Sequence, residues 1–454
     1  MSTKTSSDAR VRPLLEGPIS PMLLRLAGPN VVAVSLMTAV TIGDALFVGY
    51  LGTVPLASLA LVFPFQTLMQ MMSAGAIGGG ATSSVARALG GGSREQAAEA
   101  AWHAVIIGVL GALLYMVVLG FFARPIFALL GGTGEALEGA VIYAAIAFGG
   151  ATATWAFYLL SAILRGTGDT VTPARAIVVG CAVQVPLSGI LTLGWGPFSG
   201  FGIAGPAIAM VVCHGGASLY LALCLHGNSG GVRLRPYRVR WAPVLDILKV
   251  GGIGLINSVT VAVSVVIVTG VVGRYGTEAL AGYGLGARLE LTLTPIAFGI
   301  GAALTAAVGV NVGAEQFSRA RRIAWVGAGM TFLITGLIGL VAALFPSLWL
   351  DWFTNDPAVY GFGLLYLAIV APFYGVFGGG QALYFASQGT GHLVWPVGVG
   401  VLRFLVVSGV GVVALALGWP LEAVFAGVSA GLLVTGIGLA LCLLGPDWRP
   451  RQTT

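Results

Sequence analysis

A single carboxylic acid, Asp44, lies within the first long apolar segment of the chain. An ionised carboxylate at membrane depth is costly, and such residues usually bind protons or ions. Because removal from water favours the protonated form of an acid, Asp44 could take up a proton and release it on rehydration. Asp44 also lies about twenty residues beyond Arg25, near the far interface, where a solvated or helix-terminal acid is equally compatible with the sequence.

A second acid, Glu290, lies in a later apolar segment, with Arg288 nearby and Arg403 isolated in another segment. Buried charges need partners. We therefore predict a structural ion pair between Glu290 and an arginine in preference to a coupling role. The cysteines have no CxxC spacing and the histidines lack companion ligands, so the sequence predicts no metal site and no cofactor.

The amino-acid composition indicates an integral membrane protein. Hydrophobic residues make up 57% of the chain and charged residues 8%, with a mean hydropathy of +0.95, which excludes a water-soluble protein. Apolar stretches long enough to cross about 30 Å of hydrocarbon as helices recur along the whole chain. We predict an all-α integral membrane protein with twelve transmembrane helices, at 22–49, 54–84, 98–122, 138–163, 172–194, 202–226, 246–273, 278–310, 321–346, 360–386, 394–417 and 421–444.

The chain repeats itself at an offset of about 223 residues. Residues 164–169 (LRGTGD) return at 387–392 (SQGTGH), and residues 50–57 (YLGTVPLA) return at 274–281 (RYGTEALA). Six helices in each repeat make both halves enter the membrane from the same side. The sequence thus predicts two parallel six-helix repeats that face each other across a central cleft.

Charge predicts the orientation and the domains. Most Lys and Arg residues lie on the terminal segments and on the loops at the same side of the membrane as the termini. The loops at the opposite side hold only Arg124 and Arg274. By the positive-inside rule both termini are cytoplasmic, and the net charge of +6 reflects topology rather than nucleic-acid binding. The predicted domains are a disordered N-tail at 1–21, an amino-terminal lobe at 22–226, a cytoplasmic linker at 227–245, a carboxy-terminal lobe at 246–444 and a C-tail at 445–454.

Several segments together resemble the multidrug and toxic compound extrusion (MATE) family, nearer to its DinF-like and prokaryotic branches. They are residues 25–30 (RLAGPN), Asp44, and residues 47–52 (FVGYLG), 81–90 (ATSSVARALG), 164–169 and 308–314 (VGVNVGA). The resemblance implies a cation-coupled exporter with a V-shaped cleft between two six-helix lobes. In that family bending of the first helix is linked to cation occupancy, so Pro29 is a candidate hinge, although a static kink is also compatible.

The fifth helix departs from the family pattern. Many relatives carry Asn and Asp four residues apart here, where this chain has Gln184 and Ser188. One carboxylate, one amide and one hydroxyl make a poor sodium site, because sodium prefers several oxygen ligands. We therefore favour proton coupling, with altered or weak coupling as the alternative. Ser161, where relatives often carry an amide, and Tyr158 could line this pocket or bond a neighbouring helix.

Polar side chains follow one face of the predicted second helix. Gln66, Gln70 and Ser73 have i, i+4, i+7 spacing, with Met69 among them. Lipid cannot form hydrogen bonds with these polar side chains, so this face of the helix must contact protein or water. Since the second and eighth helices border the cleft in the family, we predict that these residues and Tyr283 bind substrate. Interhelical hydrogen bonding with core packing explains the same pattern.

Two other functions deserve comparison. A lipid-linked precursor flippase of the same superfamily usually has more helices and a basic cavity. A membrane-embedded transferase needs clustered acids or a His motif, which this sequence lacks. We predict instead a non-enzymatic, proton-coupled or possibly sodium-coupled antiporter in the bacterial cytoplasmic membrane. It would be a monomer in the lipid bilayer that exports amphipathic small organic molecules by alternating access.

Overall fold

The computed structural model describes residues 11–227, 231–445 and 448. These residues are helical apart from turns, loops and one isolated bridge between Trp195 and Phe198. In the described part of the chain eleven helices are long and apolar enough to cross a membrane, and a bent helix pair counted as one span makes twelve, which confirms the predicted all-helical membrane fold. They are α1 Ile19–Tyr50, α2 Thr53–Gly90, α3 Arg94–Leu129, α4 Gly134–Gly149 with Ala151–Gly166, α5 Val171–Leu193, α6 Ala204–His226, α7 Trp241–Gly273, α8 Thr277–Gly313, α9 Phe317–Leu344, α10 Pro357–Thr390, α11 Val394–Ala416 and α12 Leu421–Cys442.

Three of these spans are irregular. Helix α4 bends by 48° between its two parts. Helix α2 contains a π-helical segment, Met71–Ile77, and α10 contains a 3₁₀ turn, Ala371–Phe373. The turn in α10 includes Pro372, which cannot donate a backbone hydrogen bond. Irregular backbone at membrane depth is tolerated where it is buried in protein or lines a cavity, so these breaks belong to the interior of the bundle.

The two repeats fold alike. In the amino lobe (α1–α6), the Thr82 hydroxyl of α2 donates to the carbonyl of Ala162 in α4 at 2.8 Å. In the carboxy lobe (α7–α12), the Thr305 hydroxyl of α8 donates to the carbonyl of Phe385 in α10 at 2.8 Å. Both members of the second pair lie about 223 residues beyond those of the first. The sequence repeat is therefore a structural repeat, with α2 and α4 corresponding to α8 and α10.

The lobes meet closely at one end, called here the termini end, where α1 begins and α12 ends. A Cβ atom added to Gly90 would lie 2.0 Å from the carbonyl oxygen of Val310. In the corresponding position of the other repeat, a Cβ atom on Gly313 would lie 2.0 Å from the carbonyl oxygen of Arg87. Only glycine permits this approach of two helix backbones.

Polar contacts reinforce the junction at the termini end. Arg87 of α2 forms an ion pair with Asp246 of α7, in which Nη2 donates to both carboxylate oxygens at 2.8 and 2.7 Å. The Ser83 hydroxyl donates to the carbonyl of Gln388, and the Gln388 amide donates to the carbonyl of Gly75 at 3.1 Å. Among the described residues, the hydrogen bonds between the lobes lie in this half of the bundle. The cleft of the V therefore opens toward the opposite end.

The boundary segments differ from the prediction. Residues 11–16 are helical, and Leu14 is only 2% exposed, with its carbonyl accepting from Asn311 of α8 at 3.0 Å. Residues 11–21 thus depart from the predicted disorder, because the apolar side chain of Leu14 docks on the carboxy lobe. Helix α7 begins at Trp241, which shortens the predicted linker. Residues 1–10, 228–230, 446–447 and 449–454 of the predicted tails and linker lie outside the described residues.

Candidate functional site

Three of the predicted coupling residues come together between α1 and α5. Ser188 donates a hydrogen bond from Oγ to Asp44 Oδ1 at 2.5 Å, and the Gln184 amide interacts with the same carboxylate. Gln184 and Ser188 share one face of α5 because they lie four residues apart. Both are buried, whereas Asp44 is half-buried. Asp44 lies six residues before the end of α1, in the half of the bundle where the lobes diverge.

Other helices of the amino lobe complete the surroundings of Asp44. Tyr143 of α4 and Cys213 of α6 lie within electrostatic range of the carboxylate. The Gln66 amide of α2 donates to the Tyr143 hydroxyl at 3.4 Å and contacts Met210 Sδ at 3.0 Å. Tyr143 and Cys213 were not predicted to lie near Asp44, because an isolated Tyr or Cys in an apolar helix gives no indication of its neighbours in space.

Ser161 and Tyr158 lie outside this cluster. The Tyr158 hydroxyl interacts with Gln70, and its ring packs edge-on against His214 at 5.9 Å. Ser161 is 1% exposed, and its hydroxyl has no hydrogen-bond partner among the described residues. Of the five predicted coupling residues, only Asp44, Gln184 and Ser188 form one polar group.

The predicted substrate stripe on α2 is only partly exposed. Met69 is 1% exposed and Ser73 is fully buried, with its hydroxyl donating to the Met69 carbonyl at 2.7 Å. Ser73 lies within the π-helical segment, which has more residues per turn than an α-helix. Residues with i, i+4, i+7 spacing across this segment therefore do not lie on one face of the helix. Gln66 and Gln70 remain partly exposed.

Tyr283 packs in the interior of the carboxy lobe. It is 8% exposed and lies edge-on to Tyr366, with ring centroids 5.5 Å apart. The prediction grouped it with the α2 stripe because both helices border the cleft. Its neighbours are instead aromatic side chains of its own lobe, including Phe425.

The predicted ion pair of Glu290 with an arginine is not formed by Arg288. Its carboxylate accepts a hydrogen bond from the Tyr366 hydroxyl at 3.1 Å, and Arg403 lies within electrostatic range. Arg288 is exposed. Two residues apart on a helix means a separation of about 200° around the axis, so Arg288 points away from the side of Glu290. Glu290 is therefore held by a hydroxyl and a more distant cation.

Arg165 is more buried than the sequence suggested. The predicted fourth span ended at residue 163, which placed Arg165 in a loop. In the structure α4 continues to Gly166, and Arg165 is only 5% exposed. The corresponding Gln388 likewise lies inside α10, beyond the predicted end of that span at residue 386.

Two parallel six-helix lobes that face each other across a cleft have the architecture of a membrane transporter. A family model described as MatE matches residues 29–190 and 255–415, one segment in each lobe. The chain belongs to this family of multidrug efflux transporters, whose members are not enzymes.

Individual relatives cover most of the chain. The FAD transporter of Shewanella oneidensis is 25% identical over 376 residues, which cover 80% of this chain and 81% of that protein. The probable multidrug resistance protein YoeA of Bacillus subtilis is 24% identical over 352 residues, or 76% of each chain. A crystal structure described as MATE in the bent conformation has a TM-score of 0.89 at 22% identity and covers 97% of both chains. This likeness supports the fold described above.

Proposed function

We propose that this protein is a proton-coupled antiporter that exports amphipathic organic compounds by alternating access. The observation that carries the proposal is the 2.5 Å hydrogen bond between Ser188 and Asp44, which joins α1 to α5 beside the open cleft. A carboxylate in this position exchanges protons with water when the cleft is open at that end. Its protonation removes a charge and weakens the interaction between the two helices.

Protons are favoured over sodium by the ligands that surround Asp44. The cluster offers one carboxylate, the Ser188 hydroxyl and the Gln184 amide. Sodium requires several oxygen ligands, preferably with more than one negative charge. Among the described residues no group of three or more His, Cys, Asp or Glu side chains is placed to hold a metal ion. A proton needs only the one acid.

The coupling motion is proposed to bend α1 at Pro29. This residue lacks a backbone N–H, and Val31, just beyond it, packs against Gly299 of α8. Pro29 therefore separates the part of α1 that begins at the termini end from the part that carries Asp44. Bending there would move Asp44 relative to α5, with the pivot only two residues from the contact of Val31 with α8.

The direction of transport follows from the proposed orientation. Basic residues concentrate on the loops of the termini end, and the positive-inside rule therefore supports a cytoplasmic position for that end in a bacterial membrane. The structure is then closed to the cytoplasm and open to the outside. One relative is named for drug resistance and another for FAD, so small organic molecules are the proposed cargo, carried by a monomer.

The test is uptake of ethidium into inside-out proteoliposomes, with proton and sodium gradients imposed separately. We expect the proton gradient to drive uptake by the wild type and Asp44→Asn to abolish it. Glu278→Gln is the matched control, because it also changes an acid to an amide but at an exposed site at the start of α8. Uptake driven by sodium, or an unaffected Asp44→Asn protein, would contradict the proposal.

A further inference from the structure

A narrow recess lies between the lobes, on the side of the termini end. It is lined by residues of both repeats, among them Gly75, Gly79, Arg165, Phe298, Phe385 and Gln388. Arg165 and Gln388 occupy corresponding positions of the two repeats. In this conformation the recess has room for about one water molecule. It therefore lies where the lobes must separate if the transporter opens at the termini end.

The guanidinium of Arg165 has no polar partner in this recess. Among the described residues no side chain or carbonyl forms a hydrogen bond with it, and no acid lies within ion-pair distance. Its neighbours are the Phe298 ring, whose centroid lies 6.0 Å from Cζ, and Tyr158, which lies within electrostatic range without a hydrogen bond to it. Arg165 is 5% exposed, and a buried cation without an anion is strongly unfavourable.

The other polar side chains of the recess already use their donors. The hydroxyls of Thr82 and Thr305 donate to carbonyls of α4 and α10, each at 2.8 Å. The Gln388 amide donates to the Gly75 carbonyl at 3.1 Å. Arg165 is thus the group in the recess with unused donors. A planar guanidinium with five N–H groups matches a phosphate or carboxylate in bidentate geometry.

We propose that Arg165 binds the phosphate or carboxylate of an amphipathic organic anion that carries an aromatic ring. Phe298 and Phe385, which lie edge-on at 5.7 Å and are both partly exposed, supply the surface for that ring. The anion enters when the lobes part at the termini end. Closure to the present arrangement contracts the recess, so the bound molecule leaves toward the open cleft. This inference adds an anionic class of substrate to the organic compounds of the proposed exporter, beside cations such as ethidium, and rests on that function.

The test uses two fluorescent flavins that differ by one phosphate, FMN and riboflavin, with the purified full-length protein in phosphatidylcholine nanodiscs. Fluorescence anisotropy is expected to show FMN binding at least about tenfold tighter than riboflavin, as charge-assisted hydrogen bonds predict. Arg165→Gln places the residue of the other repeat at this site and should abolish the preference. Arg165→Lys should keep part of it.

Arg175→Gln is the matched control, because it removes the same charge from an exposed position in α5. It should bind both flavins as the wild type does. Equal affinity for FMN and riboflavin, binding of neither, or a preference that survives in Arg165→Gln would overturn the proposal.

A lipid headgroup could supply the same anionic chemistry as a soluble molecule. Phosphatidylglycerol added to the nanodiscs separates the two sources: competition with FMN that disappears in Arg165→Gln identifies the headgroup, and undiminished FMN binding identifies the soluble anion. Both outcomes support an anion site at Arg165. The binding measurement needs no ion gradient, so it can fail while proton-driven uptake succeeds, and it can succeed while proton coupling fails.

Discussion

Ser188 supplies the hydroxyl that links α5 to the carboxylate of Asp44. A hydrogen bond to a charged group contributes about 1.5–3 kcal/mol. Ser188→Ala removes this bond and is expected to lower the initial rate of proton-driven uptake about tenfold, because Asp44 is no longer held against α5. The rate is measured in proteoliposomes at a fixed proton gradient.

Ser58→Ala is the control for this change. Ser58 is also buried, at 1% exposure, but its hydroxyl donates only within its own helix, to the carbonyl of Val54. Its loss should leave the rate within about twofold of the wild type, in keeping with the small net value of a neutral hydrogen bond. Equal rates for the two variants would show that the bond between Ser188 and Asp44 has no part in coupling.

The sequence predicted the Asp44 cluster only in part, and the reason is visible residue by residue. Asp44 could be recognised from the sequence because an acid in an apolar span is unusual. Gln184 and Ser188 were predicted from the family pattern of the fifth helix. Tyr143 and Cys213 come close to Asp44 only through the packing of α4 and α6, which no local pattern encodes. Arg165 was misplaced because hydropathy locates the ends of helices poorly.

At the scale of single helices, α1 must bend if Asp44 is to move against α5. Pro29→Ala restores a backbone donor inside the helix, and a proline in this position weakens a helix by about 3 kcal/mol relative to alanine. The stiffer helix is expected to reduce the rate of transport several-fold while ethidium binding to the purified protein is unchanged. Turnover and binding are measured separately.

Pro21→Ala tests whether any proline of α1 would have this effect. Pro21 lies in the first turn, where the N–H groups need no partner within the helix, and it is exposed. We expect its transport rate to match that of the wild type. A Pro29→Ala protein that turns over at the normal rate would leave Pro29 as a static feature of the helix.

The irregular helices mark the limit of what periodicity can predict. Hydropathy gave the number and type of the spans because lipid forces every apolar segment of this length into a helix. The π-helical segment of α2 was not predictable from the 3.6-residue period of an α-helix. This segment rotates the Ser73 side chain toward the protein core, where it is buried. A stripe drawn across a break of this kind therefore includes residues that do not share a face.

At the scale of the whole molecule, the conformation is set by the asymmetry between the two ends. The termini end is closed by backbone contacts at Gly90 and Gly313 and by the ion pair of Arg87 with Asp246. The two side chains of that pair are 16% and 44% exposed, so it contributes about 1 kcal/mol at most. A bias of this size is small enough for a substrate or a proton to reverse.

Removal of the ion pair should therefore shift the lobes without unfolding them. In Arg87→Gln and in Asp246→Asn the population open at the termini end is expected to rise up to about fivefold, the equivalent of 1 kcal/mol. The opening is measured with spin labels at Glu95→Cys and Ser318→Cys, in a protein that lacks its native cysteines. These two positions are exposed and correspond to each other in the two lobes, so opening increases the distance between the labels. Arg124→Gln is the control, since it breaks a bidentate pair with Glu138 that lies within one lobe. If Arg87→Gln and Asp246→Asn both give the wild-type distance distribution, the glycine contacts alone hold the junction. The substrate must then act on helix packing rather than on the ion pair to open the termini end.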